Sequence, residues 1–448
     1  MFEFFGIIDI VSFTIWMLIF GVGAFLVHAN NKNNPEFKYY LLHFYFKILA
    51  GFGFALVYMF YYERHGDTVF YWDGARKLSQ LLFENPSAYF KEIFFEHDQN
   101  TIPTYFKHVG YPPVWTYNEP NSWFVCKIAS IFSLFTFGSY ITLNLFFSVI
   151  STWVSWRFFR FINSILKTET KYTAIACLFI PSVAFWCTGL SKDTIALCAI
   201  LVLIMTYFKF LNLSKITFKL SVFFIFSCFI LLSIRPFLIV ACFIPFIILF
   251  TFRLNKTKPF MIRFATRLIG VVLASLIIVV YFQFNELFGE FSATKFIETA
   301  EVISMDMMNN AGYTGKRYDL GITDFSAINM IAAIPAAIGA TLFRPFIWEA
   351  DSVFMLFNGI ENIFILYFCF RMFFFLTKKG SFSELRKNDF YLFAFIFVLV
   401  LGYFVGLTSV LFGVLVRMKA PILPFFVLLI SYPLMKKDSK ETTIDSAK

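Results

Sequence analysis

The sequence predicts an all-α, polytopic transmembrane helical protein, and three observations carry that prediction. Of its 448 residues, 59% are hydrophobic and 15% charged, with a mean hydropathy of +0.72. Soluble domains run nearer half apolar and a quarter charged. Apolar runs of roughly 18 residues or more, the length of a membrane-crossing helix, recur along the whole chain. Between them the basic residues gather in alternate loops, as the positive-inside rule requires. The 68 Phe residues fall in every run rather than on one face, so they read as lipid-facing and packing side chains.

The elements follow in order. A first span covers about Phe5–His28; Glu3 and Asp9 stand where a cleavable signal peptide would be basic, so it is expected to be retained. Asn30–Lys38 is a polar turn around Pro35, and a second span covers about Tyr40–Tyr62. The polar segment 63–121 follows. Ala75, Leu78, Leu81 and Leu82 recur in it at helical spacing, while Pro86, Pro103 and Pro112-Pro113 break it. It is expected to lie on the membrane surface as amphipathic helices. Further spans are predicted at about Ser122–Val154, Tyr172–Leu190, Thr194–Phe210, Phe218–Ser233, Phe237–Phe252 and Leu268–Phe284. A second polar loop occupies 285–324. Phe325–Phe343, with Pro335 and many small residues, reads as re-entrant or interfacial. Spans at about Ser352–Leu376, Phe390–Leu411 and Met418–Leu434 lead to a tail, 435–448. The total is about 11 spans plus one re-entrant or interfacial helix, in a single integral membrane domain, 1–448.

Charge sets the orientation. Lys32, Lys38, Arg157–Lys171, Lys209–Lys219, Arg253–Arg267, Arg371–Lys387 and the tail fall on one side, which is therefore expected to be cytoplasmic. Both long polar segments fall on the other side. The net charge of +10 is explained by this sorting, without nucleic acid as a partner. The seven cysteines contain no Cys-x-x-Cys pair, which argues against a zinc site or a disulfide framework.

Some charges remain outside that rule. Lys192, Asp193, Arg235, Arg344, Glu349, Asp351, Arg417 and Lys419 sit in short turns on the outer side, and Glu361 lies within a span. Ionisable groups at such depth usually face a protein interior or cavity. Arg235 and Arg344 each precede a proline, which predicts a helix start with a cation beside it. Gathered together, Lys192, Arg235, Arg344, Arg417 and Lys419 would bind phosphate, with Asp193, Glu349, Asp351 and Glu361 as supporting acids. Taken singly, each arginine instead snorkels to headgroups or pairs with Asp193, Glu349 or Asp351. Asp67 and Asp73 are the candidate catalytic acids in the polar segment. Asp67 is also a candidate cap for a helix over 68–82. His65, His97 and His108 are spaced too irregularly for a metal cluster. A divalent metal is compatible with the chemistry but not indicated, and no cofactor is called for.

Gly66-Asp67, Tyr71, Ala75 and Leu78 resemble the first outer loop of the GT-C superfamily of polytopic glycosyltransferases. The segments Pro181-Ser182, Trp186, Gly189, Ser191-Lys192-Asp193, Arg235-Pro236 and Gly413, Arg417, Lys419, Pro421, Pro424 are similar to those of membrane proteins of bacterial polysaccharide clusters, O-antigen-polymerase-like proteins among them. The resemblance implies a polyprenyl-phosphate sugar donor, a glycan or lipid-linked acceptor, and Asp67 as general base. The loop follows the second span here rather than the first, and it lacks an Asp-x-Asp or Glu-x-Asp motif. The expected setting is the bacterial inner membrane, with the active face periplasmic. A flippase or transporter of lipid-linked sugars is the alternative, and a non-enzymatic envelope scaffold a third.

Overall fold

The computed structural model describes residues 6–95, 99–167, 170–212, 217–254, 315–322, 326–378 and 380–436, with short separate stretches between 259 and 308. Most of the predicted span at 268–284, most of the loop 285–324, His97, Lys256, Lys258, Arg263, Arg267 and the tail from 437 lie outside the described residues. Among the described residues all regular structure is helical, apart from one isolated bridge between Arg317 and Leu411. Six helices among the described residues are long and apolar enough to cross a membrane, or seven with one bent pair counted as a span. These are the helices of a multi-pass membrane protein. By Cα packing the chain divides into two compact units: Met1–Arg160, Val183–Val202 and Ile225–Arg235 in the first, Phe161–Ser182, Leu203–Phe224 and Pro236–Lys448 in the second.

The first unit begins with α1 (Ile7–Asn30) and α2 (Tyr40–Leu56), joined through Ala24, Phe44 and Ile48 with Leu145. The coil then widens to a π-type turn over Val57–Tyr61. Glu63 and Arg64 take left-handed φ of 48° and 70° and swing the chain into α3 (Asp67–Glu84). There follow α4 (Pro86–Phe94), α5 (Ile102–Tyr105), α6 (Val114–Asn118), α7 (Pro120–Ser133) and α8 (Tyr140–Leu166). The predicted span Ser122–Val154 is therefore two helices, because Phe137 and Gly138, at φ of 52° and 73°, reverse the chain between α7 and α8. The predicted helical face of α3 packs on α7: Gly74 lies against Cys126 and Trp123, and Ser79 Oγ donates to Ser133 Oγ at 3.2 Å.

Buried polar groups hold this unit together. The Glu92 carboxylate, 2% exposed, accepts from Trp123 Nε1 and Tyr117 Oη at 3.1 Å each and from Thr101 Oγ1 at 3.4 Å. It ties α4, α7 and the loops between them. Lys47, also 2% exposed, donates to Ser151 Oγ at 3.1 Å and Thr188 Oγ1 at 3.2 Å. One helical turn away, His43 Nε2 meets Ser155 Oγ at 3.2 Å. Asn144, Ser148, Thr152 and Ser155 recur at three- and four-residue spacing and bond back to carbonyls of α8 itself. This buried polar face explains why α8, long enough at 27 residues, is not among the apolar spans.

Next come α9 (Thr170–Leu178), α10 (Pro181–Trp186), α11 (Lys192–Asn212) and α12 (Phe218–Ile234). The predicted span Tyr172–Leu190 is broken before Pro181, whose ring and missing N–H end a continuous ladder. The predicted turn Ser191-Lys192-Asp193 is in part helix: α11 starts at Lys192.

The second unit contains α13 (Pro236–Leu254), α14 (Ala327–Ala332), α15 (Ile334–Phe343), α16 (Val353–Leu376), α17 (Ser381–Lys387), α18 (Asp389–Thr408), α19 (Phe412–Lys419) and α20 (Leu423–Ile430). The predicted re-entrant stretch is the short pair α14–α15; ten residues of α15 reach only about 15 Å. The predicted last span, about Met418–Leu434, begins at a 70° bend between α19, most of which precedes it, and α20. Two stretches of α18 show why its neighbours sit close. Near its start, Asp389 accepts from Arg253 Nε, whose Nη1 donates to the Leu211 carbonyl at 2.9 Å. Near its end, a Cβ on Gly406 would stand 2.0 Å from the Ala337 carbonyl oxygen, and Thr341 Oγ1 donates to the Gly402 carbonyl at 2.7 Å. Small residues thus let α15 and α18 touch backbone to backbone, the usual device where lipid offers no hydrophobic drive. Gly406→Ala is expected to force these helices apart and destabilise the unit by about 1–3 kcal/mol, read as a lower melting temperature in detergent. Gly413→Ala, with nothing within 4 Å, is the control and should melt as wild type.

Candidate functional site

Each unit carries one cluster of the predicted residues. Asp67 and Arg235 belong to the first, Arg344, Arg417 and Lys419 to the second.

In the first unit the outer segment and the start of α11 meet. Gly66, not Asp67, is the N-cap of α3; Asp67 is its first residue and half-buried. A carboxylate there faces the positive end of the helix. Gly66 is held close, since a Cβ would stand 2.3 Å from the Tyr58 ring of the preceding π-type turn. Next to Asp67, Thr68 Oγ1 accepts from Tyr140 Oη at 3.5 Å. One turn further, Tyr71 Oη is 3.5 Å from Ser122 Oγ, which donates to Glu119 Oε2. Glu119 Oε1 accepts from Lys192 Nζ at 2.9 Å. Asp67 and Tyr71 share a face of α3, and from Tyr71 hydrogen bonds run through Ser122 to the Glu119–Lys192 pair.

Asp73 lies elsewhere on α3 and is engaged locally, accepting from Arg76 at 3.1 Å and Lys77 at 2.8 Å. Lys77 also donates to the Tyr111 carbonyl. Arg235 closes α12 and stands directly before Pro236, where α13 begins, as its Arg-Pro step predicts. Its guanidinium pairs with Asp193 at 2.7 Å, with side-chain exposures of 9% and 1%.

In the second unit the cluster surrounds the end of α19. Arg344 does not start a helix: it ends α15, and Pro345 leads into extended chain and the short turn Ile347–Glu349. Arg344 pairs with Glu349 at 3.3 Å and lies over the Tyr318 ring. Burial pushes the Tyr318 phenol up, and the Arg344 charge opposes this in part. Tyr318 Oη donates to the Gly406 carbonyl at 2.7 Å. Arg417 and Lys419 occupy the last turn of α19 rather than a helix N-terminus; the carbonyl end is where a cation is favoured. Lys419, 1% exposed, donates to the Arg344 carbonyl at 2.9 Å and Asn362 Oδ1 at 3.0 Å. Glu361 accepts from Ser182 through its N–H at 2.9 Å and its Oγ at 2.6 Å. Asp351 accepts from the Lys316 N–H at 2.8 Å.

Two predicted arginines and Lys192 thus have an acid partner each. The sequence reading missed Glu119, Glu92, Asn358 and Asn362. For Glu119 the available signal was an acid placed just before Pro120, at the end of the polar segment. The two asparagines, four apart inside an apolar run, signalled a polar face on α16. Among the described residues no three His, Cys, Asp or Glu side chains gather so as to hold a metal ion. No known protein family, curated protein or solved structure matches the chain.

Proposed function

We propose that the protein is a glycosyltransferase that takes a sugar from a polyprenyl-phosphate donor at the outer, periplasmic face of a bacterial inner membrane, in the synthesis of an envelope glycan. Joining of lipid-linked repeats is the polymerase form of the same reaction. The observation that carries the reading is the placement of Asp67. It opens α3 directly after the candidate span Pro35–Tyr61, half-buried, on the helix face that leads through Tyr71 and Ser122 to Glu119 and Lys192. A carboxylate so placed can take the proton of an acceptor hydroxyl. The leaving group is a phosphate, so a cation beside it stabilises the developing charge. Lys192, which meets Glu119 beside that face, is the cation of the first unit.

Transport of lipid-linked sugars is the second reading, favoured by the 70° break between α19 and α20. Broken helices of this kind hold substrates in transporters. Deletion of the gene, followed by analysis of envelope glycans and their lipid-linked precursors, tests both. Transfer predicts a glycan shortened or missing one sugar with its donor accumulating. Transport predicts a complete lipid-linked glycan held on the inner leaflet. An unchanged glycan profile rejects both.

A further inference from the structure

Asn358, on α16, carries a buried acceptor with no partner among the described residues. It is 6% exposed, and its Nδ2 donates to the Phe354 carbonyl at 2.9 Å. That bond fixes which way the amide points, because the flipped form would set two oxygens face to face. The Oδ1 is then turned away from the helix backbone and meets no hydrogen-bond donor among the described residues. A buried acceptor without a donor is costly and rare in folded proteins.

Its surroundings are otherwise satisfied. One turn on and on the same face, Asn362 donates to the Pro345 carbonyl at 2.8 Å and accepts from Lys419 at 3.0 Å. Between them Gly359 is pressed on the backbone of Ile347, 3.0 Å from where a Cβ would be. Lys419 ends α19, and the chain bends by 70° before α20. Interrupted helices at membrane depth are tolerated where they line protein or a cavity.

We infer that the junction of α16 with the α19–α20 break binds a hydroxyl group of the substrate, with Asn358 Oδ1 as the acceptor. The missing partner must be a donor. A phosphate offers acceptor oxygens and does not meet that need; a sugar hydroxyl does. In the proposed function this hydroxyl belongs to the sugar of the lipid-linked donor, and the inference rests on that reading. Lys419 is a positioning residue here: it orients Asn362 and the Arg344 carbonyl around the same face.

Two substitutions in the full chain test this, each expressed in the deletion strain. Asn358→Leu keeps the volume and removes the acceptor. Asn358→Asp keeps it: a buried carboxyl held neutral donates its O–H to the Phe354 carbonyl and leaves its C=O where Oδ1 was. The expected result is a roughly tenfold or greater loss of glycan per unit protein for Asn358→Leu, with a melting temperature no lower than wild type. Asn358→Asp should stay within about threefold of wild type, the acceptor being retained. Wild-type glycan from Asn358→Leu would mean that a buried water alone fills the place, and would overturn the inference while leaving the proposed function intact. Equal loss in both variants with lowered melting temperatures would assign a purely structural role and overturn it as well. An unaltered glycan profile in the deletion strain itself would instead remove the reading on which it rests.

Discussion

Asp67→Asn is expected to lower sugar transfer by roughly 10²–10⁴-fold, the range for loss of a general base, without unfolding the protein. The side chain keeps its size, and Gly66 remains the helix cap. What is lost for stability is the favourable meeting of a carboxylate with the helix N-terminus, about 0.3–1 kcal/mol. What is lost for chemistry is the only function an amide cannot replace, accepting a proton. Asp73→Asn provides the contrast. That carboxylate is paired with Arg76 and Lys77 on its own helix, so its loss should change transfer little. The measurement is transfer from lipid-linked donor in isolated membranes, normalised to folded protein. Full activity in Asp67→Asn at wild-type expression would eliminate Asp67 as the base.

The second large effect concerns stability. Asp193→Ala is expected to destabilise the first unit by about 3–5 kcal/mol, because it removes the carboxylate paired with the buried Arg235 guanidinium. Asp193→Leu combined with Arg235→Met should recover most of that loss, since replacing both members of a buried pair by apolar groups is often neutral. Melting of Asp193→Leu, Arg235→Met and the double variant in detergent gives the coupling. If the double variant melts no higher than Asp193→Ala, the pair is not the source of the effect. If it melts like wild type and still transfers sugar, Arg235 is not needed to hold phosphate. The buried pair therefore separates a structural from a ligand-binding role for the arginine.

The class of fold was legible because hydropathy and charge sorting are local and repetitive. The long apolar helices at Ile7–Asn30, Val353–Leu376 and Asp389–Thr408 were read nearly end to end. Breaks were harder. Pro181 was in plain sight within a predicted span, yet prolines are common in membrane helices, and Phe137 carries no mark of its left-handed conformation. The Arg-Pro step was a sound signal at Arg235, where α13 follows. It misled at Arg344, where Pro345 lies in extended chain. Partners were legible only where they lay among the same out-of-rule charges: pairing of the arginines with Asp193 and Glu349 was one of the two expectations, and Arg235–Asp193 and Arg344–Glu349 form. Glu119 meets Lys192 across 73 residues, and no spacing rule joins positions that far apart. Asp67 stood out as a candidate because it lies in the charged window that opens the polar segment after the second apolar span. Asn358 did not, because a neutral amide in an apolar run becomes informative only once its neighbours are known.

Lys47 has a consequence for the order in which the chain is made. Its amine lies inside the candidate span Pro35–Tyr61, and its hydroxyl partners are Ser151 and Thr188. When α2 leaves the ribosome, neither partner has been synthesised; the second arrives 141 residues later. At an elongation rate of about 5–20 residues per second, that is roughly seven to thirty seconds. During this interval the Lys47 amine lacks the hydroxyls that accept its hydrogen bonds, a polar group of the kind that hydrocarbon rejects. The segment is thus held only provisionally until residue 188 emerges. Nascent chains cut short before that point should be cleared by membrane proteolysis far faster than chains that extend beyond it.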